Sequence, residues 1–121
     1  RAPVTLDVLR DPWPVDAADA IVCINMIHVA PWSATEGLFR GASRVLRARG
    51  SLVMYGPYMR DGTHTAPSNA AFDAALRARH PDWGLRDIGT VAELAMRHGF
   101  ELERITPMPA NNFSLIFRAV A

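Results

Sequence analysis

Polar side chains stand where several apolar runs of this chain end. Asp7 closes PVTLDV. Asn25 and His28 follow the run that enters AIVCINMIHVAPW, Ala20–Trp32. Tyr55 closes SLVMY, with Tyr58 just beyond, and Asn111–Asn112 lie in the turn TPMPANN. A carboxylate accepts hydrogen bonds from an amine or hydroxyl, and an amide donates and accepts at once. A histidine near neutral pH can act as a general base, which makes His28, and with it Tyr55, the catalytic candidates. Structural alternatives stand beside these. Asp7 can cap a turn, and Asn111–Asn112 can supply left-handed turn conformations. His28 can be a buried hydrogen-bonding group, and Tyr55 and Tyr58 can pack a rim. Asn25 is the hardest to explain by packing, because an amide within an apolar run needs partners. His64, His80 and His98 lack the i, i+4 spacing of a helical metal site, so no metal is expected.

The elements that would position these residues follow from apolar periodicity. Pro3–Val8 reads as a short strand, and RDPWP after it as a loop, since two prolines exclude a helix interior. Ala20–His28, β-branched and halted by Pro31, reads as a strand buried on both faces, as in parallel sheets. Ser33 and Glu36 form a capping-box pattern ahead of Leu38, Phe39, Ala42, Val45 and Leu46 at helical spacing, with Gly50 as the expected stop. Ser51–Tyr55 is the next strand, which completes a right-handed βαβ unit. Gly56–Pro67 is a long loop of the kind that often carries function. Ser68 is placed to cap a helix over Asn69–Arg79, and Thr90 with Glu93 to open another that Gly99 ends. Phe100–Ile105 and Phe113–Arg118 are strands joined so closely that they must be antiparallel. The pattern predicts an α/β domain spanning residues 1–121, with ligands bound beyond the carboxyl ends of its strands.

Composition narrows the class. The 121 residues suit one domain, half of them are apolar, and the net charge is +1. That balance gives no electrostatic case for nucleic acid or an anionic membrane. Single Cys23 rules out an intrachain disulfide framework and reads as a small core residue. No apolar run reaches the ~20 residues of a membrane helix, and no signal peptide is visible, so the expectation is cytoplasmic. The chain begins at Arg1, which leads to the expectation that a piece precedes it.

Longer motifs then carry a resemblance. NMIHVAPW (Asn25–Trp32), TEGLF (Thr35–Phe39), YGPY (Tyr55–Tyr58), the run DGTHTAPSNAAFDAALRARHPDWGLRD (Asp61–Asp87) and MPANN (Met108–Asn112) together resemble the methyltransferase-like protein 26 family and its bacterial members. These are class I S-adenosylmethionine-dependent methyltransferase-like proteins of unassigned substrate, and the likeness is to their C-terminal portion only. The resemblance implies a three-layer, partial Rossmann-like sheet with strands 3-4-5-7-6 of the class I order and strand 7 antiparallel. It implies Asp7, Asn25 and Met26 as cofactor contacts. Tyr58, Asn69, Asn111 and Asn112 would stand around a small-molecule substrate. The glycine-rich loop and the ribose-binding acid of such enzymes are missing from the chain. S-adenosylmethionine binding is therefore expected only with an upstream part supplied. Without that part, the strand at Ala20–His28 becomes an exposed apolar edge, and such edges pair. Self-association through it, or displacement of strand 3, follows as an expectation.

Three functions compete: a methyltransferase or its C-terminal portion; a non-catalytic oligomerising or ligand-binding remnant of that fold; and half of a nicotinamide-dependent oxidoreductase. The absent phosphate loop weakens the third as much as the first, and no resemblance supports it.

Overall fold

The computed structural model describes residues 6–120. Strand β1 (Ala18–Ile24) leads through a 3₁₀ turn, Met26–His28, to helix α1 (Trp32–Val45), and the chain returns as β2 (Leu46–Gly56). Helices α2 (Pro67–Arg79) and α3 (Ile88–Arg97) follow, and β3 (Phe100–Met108) and β4 (Asn112–Ala119) close the chain. The four strands form one sheet in the order β1-β2-β4-β3. β1 and β2 are parallel, with Ile21 beside Leu52 and Ile24 beside Tyr55. β4 runs antiparallel to both β2 and β3. This is the expected 4-5-7-6 portion of the class I order with its antiparallel strand 7, in the mixed α/β architecture of the C-terminal part of a Rossmann-like methyltransferase sheet.

The fifth expected strand, Pro3–Val8, lies partly outside the described residues. Its remainder, Leu6–Val8, is not strand. Asp7 instead folds back on its own chain, accepting the Leu9 amide on Oδ1 at 2.9 Å and the Arg10 amide on its carbonyl at 3.0 Å. That is the Asx-turn alternative open to Asp. From there the chain runs along α1. The Val8 carbonyl lies against Gly37, and the Trp13 indole lies against Gly41. β1 is therefore a sheet edge among the described residues.

Side-chain alternation builds the core. Leu52 and Met54 of β2 and Leu115 and Phe117 of β4 are fully buried under α1 and α3. Phe39 of α1 packs edge-on against Phe100 at 5.7 Å and Phe117 at 5.4 Å. The opposite face of the sheet is bare among the described residues: Val22 and Ile24 are 64% and 61% exposed. The described residues thus supply the sheet and the helix layer on one side of it.

Helix boundaries differ from the capping patterns for local reasons. Pro31 occupies the N-cap position of α1, which leaves Ser33 inside the first turn and the Ser33–Glu36 box unformed. α1 passes directly into β2 at Leu46, so Gly50 lies within the strand rather than ending the helix. A Cβ on Gly50 would come 3.1 Å from the Asp19 carbonyl of β1. Helix α2 begins at Pro67, a favoured first position for proline, with no cap from Ser68. Asp87, and not Thr90, caps α3 by accepting the Gly89 amide at 2.8 Å. Gly99, at φ +81°, ends α3 as expected.

Gly41 shows how tightly the N-terminal segment is fitted. A Cβ there would stand 2.0 Å from the Trp13 ring. Alanine is the better helix former by ~1 kcal/mol, but the overlap forces Trp13 out of a buried position, at a cost of ~1–3 kcal/mol. Gly41→Ala is expected to lower unfolding free energy in urea titration by up to about 2 kcal/mol, the balance of the two terms. A more stable variant would show that Trp13 does not pack there.

Candidate functional site

The carboxyl ends of β1 and β2 lie together, and the β3–β4 turn reaches the same rim because β3 runs parallel to them in space. Ile24 cannot continue as strand because Asn25 turns the chain at φ 60°, the left-handed region that Asn tolerates better than most residues. The Asn25 amide donates to the Tyr55 carbonyl at 2.8 Å, and the Asn25 carbonyl accepts the His28 amide at 3.1 Å. Asn25 is exposed, Met26 half-buried and His28 1% exposed.

His28 is held from one side only. Its Nδ1 accepts the Arg86 amide at 3.1 Å, so in the neutral ring the proton resides on Nε2. Nε2 is buried without a partner. The ring meets Tyr58 edge to face at 4.7 Å. A Cβ on Gly56 would lie 2.6 Å from His28 Nε2 and 3.0 Å from Asn25 Oδ1, so glycine is what lets both side chains settle over the end of β2. Burial lowers the His28 pKa from 6.5 to about 4, and the nearby Arg86 charge adds to the effect. In this arrangement His28 is a neutral hydrogen-bond donor. Tyr58 is buried as well, and burial followed by the Cys23 thiol pushes its hydroxyl pKa upward.

Tyr55 faces elsewhere. Alternation along β2 puts it with Ser51 and Val53 on the bare face, opposite Leu52, Met54 and Gly56. The structure therefore brings Asn25, Met26, His28 and Tyr58 together but does not aim Tyr55 at them. Asp7 stands apart on its exposed turn. Asn69 is buried, and its Nδ2 donates to the Asn111 carbonyl at 3.1 Å, joining α2 to the β3–β4 turn. Ala110 and Asn111 are both left-handed there, each at φ 61°. Asn112 donates to the Pro109 carbonyl at 3.1 Å. This is the turn chemistry that was the alternative for the asparagine pair.

Residues outside the sequence candidates hold the rim. Arg86 Nε–H donates to the Ile27 carbonyl at 3.1 Å, and its Nη2 donates to the carbonyls of Ala30 at 2.9 Å and Asp82 at 2.8 Å. Its guanidinium lies 5.5 Å from the Trp32 ring. Buried Asp73 accepts from the Leu85 amide at 2.8 Å, Arg77 Nε at 3.0 Å and His64 Nε2 at 3.1 Å. Asp87 accepts the Gly62 amide at 2.7 Å, and Met59 exchanges backbone bonds with Arg86 and Ile88. The segment 80–87 thus ties the turn after β1, the loop after β2 and α2 to one another. For Arg86 and Asp87 the only signal in the sequence was polar residues inside an irregular stretch, with nothing to name their partners; Asp73 lies within an expected helix. An apolar cavity of about 480 Å³ runs along the open edge of β1, lined by Leu6, Val8, Ala20, Val22, Leu38 and Met26 among others. Among the described residues no cluster of His, Cys, Asp and Glu could hold a metal ion, and no helix is long and apolar enough to cross a membrane.

Sheet order and rim define the C-terminal part of a class I methyltransferase-like fold, and solved structures agree. The chain is similar to the pyocyanin biosynthetic protein PhzM (TM-score 0.72, 19% identity, covering 93% of this chain and 33% of that one). It is similar to CalO1, a methyltransferase in calicheamicin biosynthesis solved in its SAH-bound form (0.76, 18%, 94% and 33%). The mitomycin 7-O-methyltransferase MmcR gives 0.79, 18%, 93% and 32%, and a pericyclic reaction enzyme 0.77, 15%, 93% and 29%. The chain spans about a third of the length of these proteins. It belongs to the family described as protein of unknown function DUF938, whose profile matches residues 1–119.

His28 makes stability depend on pH in a defined window. Unfolded His28 takes a proton below 6.5, whereas the folded ring resists until about 4. Between those values the unfolded chain binds more protons, so stability is complete above pH 6.5 and falls as pH drops, by roughly 3 kcal/mol at full extent. Urea titrations from pH 7.5 to 4 are expected to show this slope and to lose most of it in His28→Gln. An equal slope in the variant would place the titration elsewhere.

Proposed function

We propose that this chain supplies the acceptor-side portion of an S-adenosylmethionine-dependent methyltransferase that acts on a small molecule. It is the reading suggested by the resemblance to methyltransferase-like protein 26. One observation carries it: a β1-β2-β4-β3 sheet, similar in fold to methyltransferase neighbours, whose own carboxyl rim gathers Asn25, Met26, His28 and Tyr58. Fold likeness alone does not select the reaction, since one neighbour is a pericyclic reaction enzyme.

The residues present fit one side of the cofactor. Asn25 offers an exposed amide able to donate and accept, and Met26 borders the apolar cavity along β1. In this reading Asn25 and Met26 meet the cofactor's amino acid end, and Asp7 its adenine amine. When bound, the cofactor supplies an electrophilic methyl group. The chain's part is to hold the acceptor in line, which is worth several kcal/mol without any further group. The wall for the acceptor is Tyr58 with the turn held by Asn69, Asn111 and Asn112. His28 contributes a fixed neutral donor. Tyr55, on the opposite face, serves only if the face it occupies is part of the site.

The test is calorimetry with S-adenosylhomocysteine on this chain, alone and with the upstream coding segment. Binding that Asn25→Ala weakens by about five- to tenfold, a loss near 1–1.4 kcal/mol, is the expected result. Equal affinity in the variant removes Asn25 from the site. No binding in either form overturns the cofactor reading.

A second reading is favoured by the open edge of β1: a non-catalytic, self-associating remnant. Val22 and Ile24 are exposed on a strand whose outer edge is unpaired among the described residues, with Asp19 as its one charge. Natural edges of this kind carry charges or prolines to prevent pairing. Sedimentation velocity is expected to show concentration-dependent association that Val22→Lys with Ile24→Lys abolishes. A monomer at all concentrations removes this reading.

A further inference from the structure

We infer that Arg86 is a positioning residue, whose guanidinium fixes the turn after β1 and with it the left-handed Asn25 and the adjoining Met26. The inference rests on the reading of those two residues as cofactor contacts, and it goes beyond that reading by naming what holds them.

The turn has a problem that its own residues do not solve. A 3₁₀ turn of only three residues, Met26–His28, leaves carbonyls without a following helix to satisfy them. The Asn25 carbonyl is taken by the His28 amide, and the Met26 carbonyl by the Val29 amide. Those of Ile27 and Ala30 are taken by Arg86, through Nε and Nη2. The guanidinium is planar and is further fixed by the Asp82 carbonyl and the Trp32 ring. A rigid fork of this kind loses little freedom on binding, and a lysine ammonium does not reproduce it. The Arg86 backbone meets the same turn independently, through its amide on His28 Nδ1. Side chain and main chain of one residue therefore hold the turn at three points, Ile27, His28 and Ala30.

The clamp matters at Asn25. A non-glycine residue at φ 60° persists only where its surroundings over-determine it. Released, Asn25 returns to an extended or right-handed backbone. Its Oδ1 then leaves the position beside His28 and over Gly56. Segment 80–87 is in turn anchored from α2 by Asp73 and from the loop by Asp87, so the clamp is fixed at its base.

The experiment is amide hydrogen exchange and ¹⁵N NMR on the full chain, with Arg86→Lys and Arg86→Ala. The amides of Asn25, His28 and Val29 are expected to exchange at least about tenfold faster in both variants, with β2 and β4 amides unchanged, as a local opening requires. Added guanidinium is expected to restore protection in Arg86→Ala, which a general packing loss would not allow. In the unaltered chain, slowly exchanging and separately resolved Arg86 guanidinium signals are expected. A single averaged signal would overturn the clamp even if Arg86→Ala failed to fold. Unchanged Asn25, His28 and Val29 exchange in Arg86→Lys would overturn it too, whatever the chain binds. Conversely, a loosened turn in the variants together with no S-adenosylhomocysteine binding by the unaltered chain leaves the clamp standing. That outcome removes only the cofactor reading.

Discussion

Backbone groups leaving the carboxyl end of β1 must find partners above the sheet, and the chain brings them from 56 and 59 residues away, where the Arg86 guanidinium meets the carbonyls of Ala30 and Ile27. The sheet supplies hydrogen bonds only along its strands, and the turn after β1 is too short to satisfy itself. Buried polar groups without partners cost ~1–3 kcal/mol each. An irregular segment with the right donors therefore becomes the cross-member of the rim. Asp73, Asp87 and Arg86 extend the same solution to α2, the loop after β2 and α3. The helices and strands set where the rim is. The 80–87 segment sets its shape.

That arrangement divides the polar residues into two tiers. His28, Tyr58, Asn69 and Asp73 lie below the surface and join elements to one another. Asn25 and Asn111 lie above them, exposed. A buried imidazole with one nitrogen committed to a backbone amide is neutral and donates from the other. The chemistry open to His28 is therefore recognition and polarisation, and proton removal would require a different tautomer. This is a consequence of which atom Arg86 occupies and not of the residue type.

The sheet is unequal on its two faces. One carries Leu52, Met54, Leu115 and Phe117 under α1 and α3; the other presents Val22 and Ile24 to solvent at the open edge. The neighbours are about three times as long as this chain, and the shared portion aligns over nearly all of it. Their fold is shared over this portion, while their chemistry, methyl transfer in some and a pericyclic reaction in another, is not. The features that distinguish reactions in such folds lie in loops and side chains placed on a common frame.

The one-dimensional pattern was enough for the order of strands and helices from Ala20 onward, the parallel βαβ unit and the terminal antiparallel pair. Apolar period and short connections leave few topologies open. Asn25 was also legible as anomalous, because an amide in an apolar run has no local partner. The carboxyl-rim location of His28 and Tyr58 followed from the same reasoning, while the opposed direction of Tyr55 needed the true strand register, since a shift of one residue reverses a face. Ser33 and Thr90 fit a capping pattern without capping: Pro31 takes the N-cap position of one helix, and Asp87, three residues before Thr90, caps the other. Asp7 read equally as a turn or a ligand group, and the fold put it in a turn. Arg86, Asp73 and Asp87 could not be singled out at all. The bonds by which they tie the rim together run to backbone atoms distant in the chain, which carry no residue-specific signal, so only the tertiary arrangement decides them.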